Sequence, residues 1–217
     1  RDDRNAGASD PPAAWFDFSP DRQGKHPQQH RRHYHGVLQA DAFAGYDRLF
    51  SAERDGGPLT EAACWAHARR KIHDVYISTQ TATAEDALKR IGELYAVEEE
   101  IRGLPASERL AVRQSQSKPL LASLHDWLVE KSATLSKKSR LGEAFAYALN
   151  QWDALCYYCD DGLAEPDNNV AERALRAVCL GKKNYIFFGS DHGGGRGALL
   201  YGLIGTGRLN GIDPEAY

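Results

Sequence analysis

Residues 141–156 read LGEAFAYALNQWDALC, and their apolar side chains recur every three to four residues. Because an α-helix turns once every 3.6 residues, this spacing predicts a helix with one apolar face, made of Leu141, Phe145, Leu149, Trp152 and Cys156. The same period predicts two earlier helices, whose apolar stripes are Leu88, Ile91 and Tyr95, and Leu120, Leu124 and Trp127. Together they predict an all-helical block over residues 84–161.

The residues before this block follow a different pattern. Short apolar runs at 13–18, 36–40 and 63–66 are separated by glycine, proline and polar turns, which is typical of strands. Helices are expected at 27–34 and 69–76. The order of strands followed by helices predicts a sheet domain with a helical insertion.

The chain after the block is expected to return to the first domain. The predicted features, in chain order, are a glycine C-cap at Gly162, a break at Pro166, a helix capped within 167–169 that continues to Arg176, a strand at 185–188, a glycine-rich loop at 189–197 and a helix at 199–209. The loop is interpreted as a flexible connector or as a place where the backbone and Arg196 approach a DNA phosphate. The predicted boundaries are 1–83, 84–161 and 162–217.

Composition limits the class of protein. The hydrophobic content of 42% over 217 residues can form a core, and no run approaches the roughly 20 apolar residues that span a bilayer. Four cysteines are too few for a disulfide scaffold, so a reducing, cytoplasmic compartment is expected. The sequence contains no methionine, and we expect it to begin inside a longer reading frame.

The charge is unevenly distributed along the chain. A net charge of −3 excludes a uniformly basic nucleic-acid binder. Basic residues nevertheless cluster at 22–35, 67–73, 131–140 and 173–183, whereas 85–100 is acidic. These clusters are either ordinary solvated surface or parts of one basic face.

Two carboxylates are candidates for chemistry. Asp41 follows the apolar run at 36–40, so a strand would deliver it to a sheet edge, although it could equally cap the next turn. Glu172 lies three residues after Asn169, which is the spacing of a capping box. Alternatively, Glu172 projects toward the sheet edge and shares a divalent cation with Asp41. Position in the sequence does not decide whether Asp41 is a metal ligand or a turn cap, or whether Glu172 is a metal ligand or a capping-box residue.

The cysteines form two short motifs. Cys64 and His67 form a C-x-x-H pair 23 residues after Asp41, which is either a site-shaping pair or a buried cysteine beside a polar histidine. Cys156 and Cys159 form a C-x-x-C pair that continues an apolar stripe, which favours core packing. A zinc site that combines the two pairs is the less favoured alternative.

Three strings in this order resemble the transposases of the insertion sequence 66 family. They are GVLQADAFAGYDRL at 36–49, ACWAHARRKIHDVY at 63–76 and DNNVAERALRAVCLGKKNYIFFGSDHGG at 167–194. The resemblance covers nearly the whole chain.

This resemblance implies a DDE transposase with an α/β fold, a ribonuclease H-like mixed sheet with flanking helices. In such a site two aspartates and a glutamate hold two Mg²⁺ ions, or Mn²⁺ in substitution. Asp41 would be the second aspartate and Glu172 the glutamate, and Cys64 and His67 would help to shape the site. Carboxylates suit this role because Mg²⁺ prefers hard oxygen ligands, and two ions about 4 Å apart can stabilise both the attacking and the leaving oxygen.

The first aspartate of the trio is expected upstream of Arg1. Asp2, Asp3 and Asp17 do not lie where the resemblance would place it. We therefore expect the first strand to be missing and residues 1–217 alone to be inactive.

The resemblance also implies DNA, at element ends and at a target, as a partner, with a homo-oligomer in the DNA complex and a location at the bacterial nucleoid. The residues expected to contact phosphates are Arg69, Arg70, Lys71, Arg173, Arg176, Lys182 and Lys183. Two rival interpretations are another ribonuclease H-like nuclease and a non-catalytic, DNA-binding remnant of a mobile element.

Overall fold

The structure, a computed structural model, describes residues 11–216. Two short strands are present in this range, β1 (Val37–Gln39) and β2 (Thr60–Ala62). The α-helices are α1 (Lys25–His30), α2 (Asp47–Phe50), α3 (Trp65–Thr79), α4 (Ala82–Glu100), α5 (Ala106–Val112), α6 (Lys118–Thr134), α7 (Arg140–Asn150), α8 (Trp152–Cys156), α9 (Asn169–Tyr185) and α10 (Asp191–Leu209). Short 3₁₀ turns at Ala44–Tyr46 and Tyr157–Cys159 and a π-helical turn at Arg113–Ser117 complete the regular structure.

The expected ribonuclease H-like mixed sheet is wrong for the described residues. They form a mostly helical structure in which β1 and β2 make one two-stranded parallel sheet. Of the predicted strands, the run at 36–40 is confirmed as β1. The run at 63–66 is not a strand, because it lies directly after β2 and comprises a two-residue connection and the first residues of α3.

Residues 13–18 are not a strand, because they pack on a helix instead of a neighbouring strand. The Ala14 amide donates to Thr206 Oγ1 on α10 over 3.0 Å. The Phe16 ring lies 6.2 Å from the Tyr201 ring. Ala14, Phe16 and Phe18 contact α10, so the apolar run reflects packing on a helix.

The block at 84–161 is helical as expected, with α4 through α8 in this range. Its core is nevertheless shared with α3, whose Trp65 and Ile72 are almost fully buried in the same cluster as Phe145. The Trp65 indole donates to the Leu155 carbonyl over 2.9 Å and meets Trp152 edge-on. Helix α3 therefore anchors the sheet edge to the helical block.

A buried arginine lies at the centre of this block. Helices α5 and α6 form one continuous helical stretch, and the π-helical turn between them carries Arg113, which is 0% exposed. Its Nε and Nη2 donate to the two carboxylate oxygens of Glu98 on α4 over 2.7 and 2.6 Å. This bidentate geometry matches the planar guanidinium to the carboxylate and compensates for burial of both charges.

The remaining nitrogen of Arg113 holds the chain that leads to α9. Nη1 lies 2.8–3.0 Å from three carbonyl oxygens, those of Tyr158, Asp161 and Ala164. Gly162 in this segment is not the expected left-handed C-cap. A Cβ at Gly162 would lie 2.0 Å from the Ala106 carbonyl, so glycine is required because the segment passes directly over the start of α5.

The predicted strand at 185–188 and the glycine-rich loop at 189–197 are both wrong. Helix α9 ends at Tyr185, Ile186 adopts a positive φ of 64°, and α10 begins at Asp191. The glycines lie inside or beside α10 because aromatic rings pack against its backbone: a Cβ at Gly194 would lie 2.4 Å from the Phe18 ring, and one at Gly197 would meet Phe188 equally closely. The final helix expected at 199–209 is present as the second half of α10.

Much apolar surface of the α9–α10 pair faces solvent. The large exposed side chains on this pair and its connection are Val170, Leu175, Leu180, Ile186, Phe187, Leu199, Leu200, Leu203, Ile204 and Leu209. Contiguous apolar surface of this extent commonly marks an interface. Within residues 11–216, none of the helices combines the length and the apolar character needed to cross a bilayer.

Replacing Arg113 by alanine is expected to lower the free energy of unfolding by about 3–5 kcal/mol, because the buried Glu98 would lose both hydrogen bonds of this pair and keep only a looser contact with Arg109 at 3.7 Å. Urea unfolding of the two proteins measures the difference. The matched control is Lys118→Ala, which removes an exposed ion pair with Asp160 and should cost at most about 1 kcal/mol. A loss for Arg113→Ala no larger than that of the control would contradict a structural role for the buried pair.

Candidate functional site

The carboxyl ends of the two parallel strands bring Asp41 and Cys64 to one edge. In the last register pair of the sheet, Gln39 of β1 lies opposite Ala62 of β2. Asp41 lies two residues beyond Gln39, and Cys64 lies two residues beyond Ala62. Asp41 is exposed and Cys64 is buried. Ala42, directly after Asp41, has a φ of 55°, a left-handed conformation that costs a non-glycine residue roughly 1–2 kcal/mol and is enriched at functional sites.

Electrostatics also connect Asp41 with Cys64. Burial raises the pKa of the Tyr147 phenol on α7, and electrostatic interactions with the nearby Cys64 and Asp41 side chains, in their ionised forms, would raise this pKa further. Both groups therefore lie within electrostatic range of one hydroxyl. Lys71 lies over this aromatic ring, with Nζ 4.6 Å from the ring centroid.

Glu172 points toward α3 and not back onto its own helix. Its Oε1 lies 3.1 Å from Nε2 of His67, and its Oε2 lies 3.9 Å from Nη2 of Arg70. The N-cap residue of α9 is Asn168, which makes no side-chain capping bond. The capping-box alternative for Glu172 is therefore excluded by the structure.

Three contacts tie the start of α3 to the start of α9, and we call them the α3–α9 clamp. The Cys64 thiol accepts from the Asn168 amide over 3.5 Å, the Trp65 amide donates to the Pro166 carbonyl over 2.9 Å, and His67 contacts Glu172. Burial raises the pKa of the Cys64 thiol, which keeps it neutral as an acceptor in the clamp.

Two polar atoms at the clamp are buried without a hydrogen-bond partner among residues 11–216. They are Nδ1 of His67 and Oδ1 of Asn168. Buried polar atoms are normally paired, so these two are candidates for a hydrogen bond to water or to a ligand.

Tyr95 and Asp167 also hold the start of α9. The sequence predicted a helix cap within 167–169 but not the bond from Tyr95. The Tyr95 hydroxyl on α4 donates to Asp167 Oδ2 over 3.2 Å, and Asp167 Oδ1 accepts from the Asn169 amide over 3.1 Å. Burial and the neighbouring Asp167 charge raise the pKa of Tyr95. One signal was present: a tyrosine within an apolar helical stripe usually needs a partner for its hydroxyl.

The structure does not bring Asp41 and Glu172 into direct contact. Within residues 11–216 they share no hydrogen bond, and these residues contain no group of three or more His, Cys, Asp or Glu side chains placed to hold a metal. Cys156 and Cys159 pack in or against the helical core, where burial raises their pKa values to about 12 and about 11, so the described residues form no zinc site with Cys64 and His67. Asp17 pairs with His30 over 2.8 Å, whereas Asp2 and Asp3 lie outside the described residues.

The seven residues expected to contact phosphates are all exposed. Those on α3 are Arg69, Arg70 and Lys71, and those on α9 are Arg173, Arg176, Lys182 and Lys183. Arg173, Arg176 and Lys183 recur at helical spacing along one side of α9. Within residues 11–216, Arg70 is the member of this set that pairs with a carboxylate, so the other six cations are available to an anionic partner.

Comparison with known proteins identifies relatives whose alignments extend over all or nearly all of this chain. It is 42% identical over 228 residues to the uncharacterized protein y4hP of Sinorhizobium fredii (strain NBRC 101917 / NGR234), and 36% identical over 217 residues to the uncharacterized protein y4qI of the same strain. The alignments cover 100% and 99% of this chain but 41% and 40% of those relatives. The chain thus spans less than half the length of these relatives. No solved structure matches it.

The family described as "Transposase IS66 family" matches residues 1–196. This range includes both strands, the helical block, the α3–α9 clamp and the start of α10. The chain belongs to the IS66 family of transposases.

Proposed function

We propose that the protein is a DDE transposase, which cuts DNA at the ends of its element and joins the freed 3′ hydroxyl to target DNA. Membership of the IS66 family supports a role in transposition. The chemical steps, the Mg²⁺ requirement and the residue roles below are part of the proposal.

The observation that carries the proposal is the α3–α9 clamp. It joins Glu172 to His67, three residues beyond Cys64, and Cys64 lies at the same strand edge as Asp41. Asp41 and Glu172, which are 131 residues apart in sequence, are thereby linked through the edge of the β1–β2 sheet and the first turn of α3.

The donor groups fit a divalent cation such as Mg²⁺. Asp41 is exposed, and the Glu172 side chain is 32% exposed, so both present hard oxygen atoms to solvent. The clamp holds Glu172 in one orientation through His67, in the way that outer hydrogen bonds orient ligating carboxylates. When bound, metal ions would stabilise charge on the attacking and leaving oxygens of the phosphodiester.

The exposed cations of α3 and α9 would hold the DNA backbone. Arg70 lies beside Glu172, so a phosphate held by this guanidinium would lie next to the proposed ligands. Contacts of this kind position DNA without specifying its sequence.

A non-catalytic DNA-binding role is the second candidate. The observation that favours it is the lack, within residues 11–216, of a cluster of three metal-ligating side chains. A transposase would need a further carboxylate from another part of the protein, whereas a DNA-binding module would need none.

Asp41→Asn and Glu172→Gln are each expected to reduce cleavage of element-end DNA by the protein of the complete reading frame by on the order of 100-fold or more. Each substitution keeps the size of the side chain and removes an anionic ligand from a site that contributes several kcal/mol to the transition state. Nicking of a labelled duplex in Mg²⁺ measures the rate.

Asp126→Asn is the matched control for this experiment, because Asp126 is a highly exposed carboxylate on α6, away from the clamp. The Asp126→Asn variant should cleave element-end DNA at the same rate as the unmodified protein. Unchanged cleavage by Asp41→Asn or Glu172→Gln would remove that residue from the site. DNA binding without cleavage by the unmodified protein would favour the non-catalytic role.

Charge reversal of Arg173 and Arg176 together is expected to weaken duplex binding and to flatten its salt dependence. Each lost phosphate contact lowers the slope of log affinity against log salt by about one, so a decrease of about two is expected. Fluorescence anisotropy over a salt series measures it. The control reverses Lys89 and Arg102, two exposed cations outside the basic clusters. Equal slopes for the two double variants would contradict a DNA-binding role for this side of α9.

A further inference from the structure

A surface depression adjoins the candidate site on the side of the helical block. It has a volume of about 510 Å³ and lies between α3, α4 and the first residue of α9. Its polar and glycine lining consists of Arg69, Arg70, His73, Gly92, Tyr95 and Asn169. Arg70 belongs both to this depression and to the ion pair with Glu172, so the two sites are neighbours.

The charge of the depression suits an anion. Arg69 pairs with no carboxylate among residues 11–216, and Arg70 is held only loosely, 3.9 Å from Glu172. The nearby Asp167 is already bonded to Tyr95 and to the Asn169 amide. The two guanidinium groups therefore keep donors free for a ligand, and guanidinium forks match phosphate oxygens.

Gly92 keeps the depression open. It lies in the middle of α4, where glycine is among the poorest helix formers. A Cβ built on Gly92 would have no neighbouring atom within 4 Å, so no packing contact of the described residues requires a glycine there. Its absent side chain leaves room for a group that approaches the helix surface closely.

We infer that this depression binds a backbone phosphate of the DNA strand, next to the phosphodiester that Asp41 and Glu172 would address. Arg69 and Arg70 hold the phosphate oxygens, and the Asn169 side chain, at the start of α9, adds a polar contact. Tyr95, fixed by its bond to Asp167, forms an aromatic wall. The inference rests on the proposed function and extends it with a second, adjacent phosphate site.

Gly92→Leu in the protein of the complete reading frame tests this inference, because it fills the depression without changing any charge. We expect affinity for an element-end duplex to fall about ten-fold and the salt slope to decrease by about one, since one phosphate contact is lost. Gly92→Ala, which adds a single methyl group, should retain most of the affinity. Ala122→Leu, on the exposed side of α6, is the matched control for an added leucine and should bind as the unmodified protein does.

The outcomes separate this inference from the proposed function. If Gly92→Leu binds like Ala122→Leu while reversal of Arg173 and Arg176 still weakens binding, DNA binding stands and the phosphate site is refuted. If the unmodified protein does not bind DNA, both fail.

Thermal unfolding with inorganic phosphate as the probe distinguishes a free anion from DNA. Stabilisation by phosphate that Gly92→Leu abolishes, together with unchanged DNA affinity, would assign the depression to a free phosphate and overturn the DNA assignment. If Gly92→Leu loses both the stabilisation by phosphate and the affinity for DNA, the DNA assignment is supported. Circular dichroism of Gly92→Leu must match that of the unmodified protein, and if it does not, Arg69→Gln replaces it with the same expected loss.

Discussion

The buried pair of Arg113 and Glu98 determines where the candidate site lies. An arginine with no exposed surface is stable only when its donors are satisfied, and this one uses Glu98 and three backbone carbonyls. Those carbonyls belong to the segment that runs from the helical block to α9. The helical block therefore functions as the support that sets the starting point of the helix carrying Glu172.

The site is built where this support meets the short sheet. The α3–α9 clamp contributes two hydrogen bonds and one ion-pair contact, and the Tyr95–Asp167 bond adds a connection from α4. The first residues of α9 are thus held from two directions. Beyond them, α9 and α10 leave a broad apolar surface exposed, which suits an interface with further protein in a family whose compared members are more than twice as long.

Helical periodicity predicted that residues 84–161 are mostly helical, and Ile91, Leu124 and Phe145 of the predicted stripes lie in the core. The single helix predicted over 141–156 is instead divided at Gln151 into α7 and α8. Short apolar runs predicted strands poorly. Residues 13–18 are apolar because they pack on α10, and the glycines at 193–197 admit aromatic rings to a helix where a loop was expected. Burial of Arg113 could not be predicted, since it depends on carbonyls about 50 residues away. Asp41 and Glu172 were found through motif resemblance, whereas the clamp and Tyr95 required the structure.

We propose that Asp41 and Glu172 contribute to one divalent metal site. Titration of the isotopically labelled chain with Mn²⁺ tests it directly, because the paramagnetic ion broadens amide signals near its binding site even when binding is weak. We expect signals around Asp41, Cys64–His67 and Glu172 to broaden together at the lowest Mn²⁺ concentrations, and Asp41→Asn or Glu172→Gln to reduce broadening at all three. Broadening at only one of these places, or first along the acidic residues 85–100, would contradict the shared site.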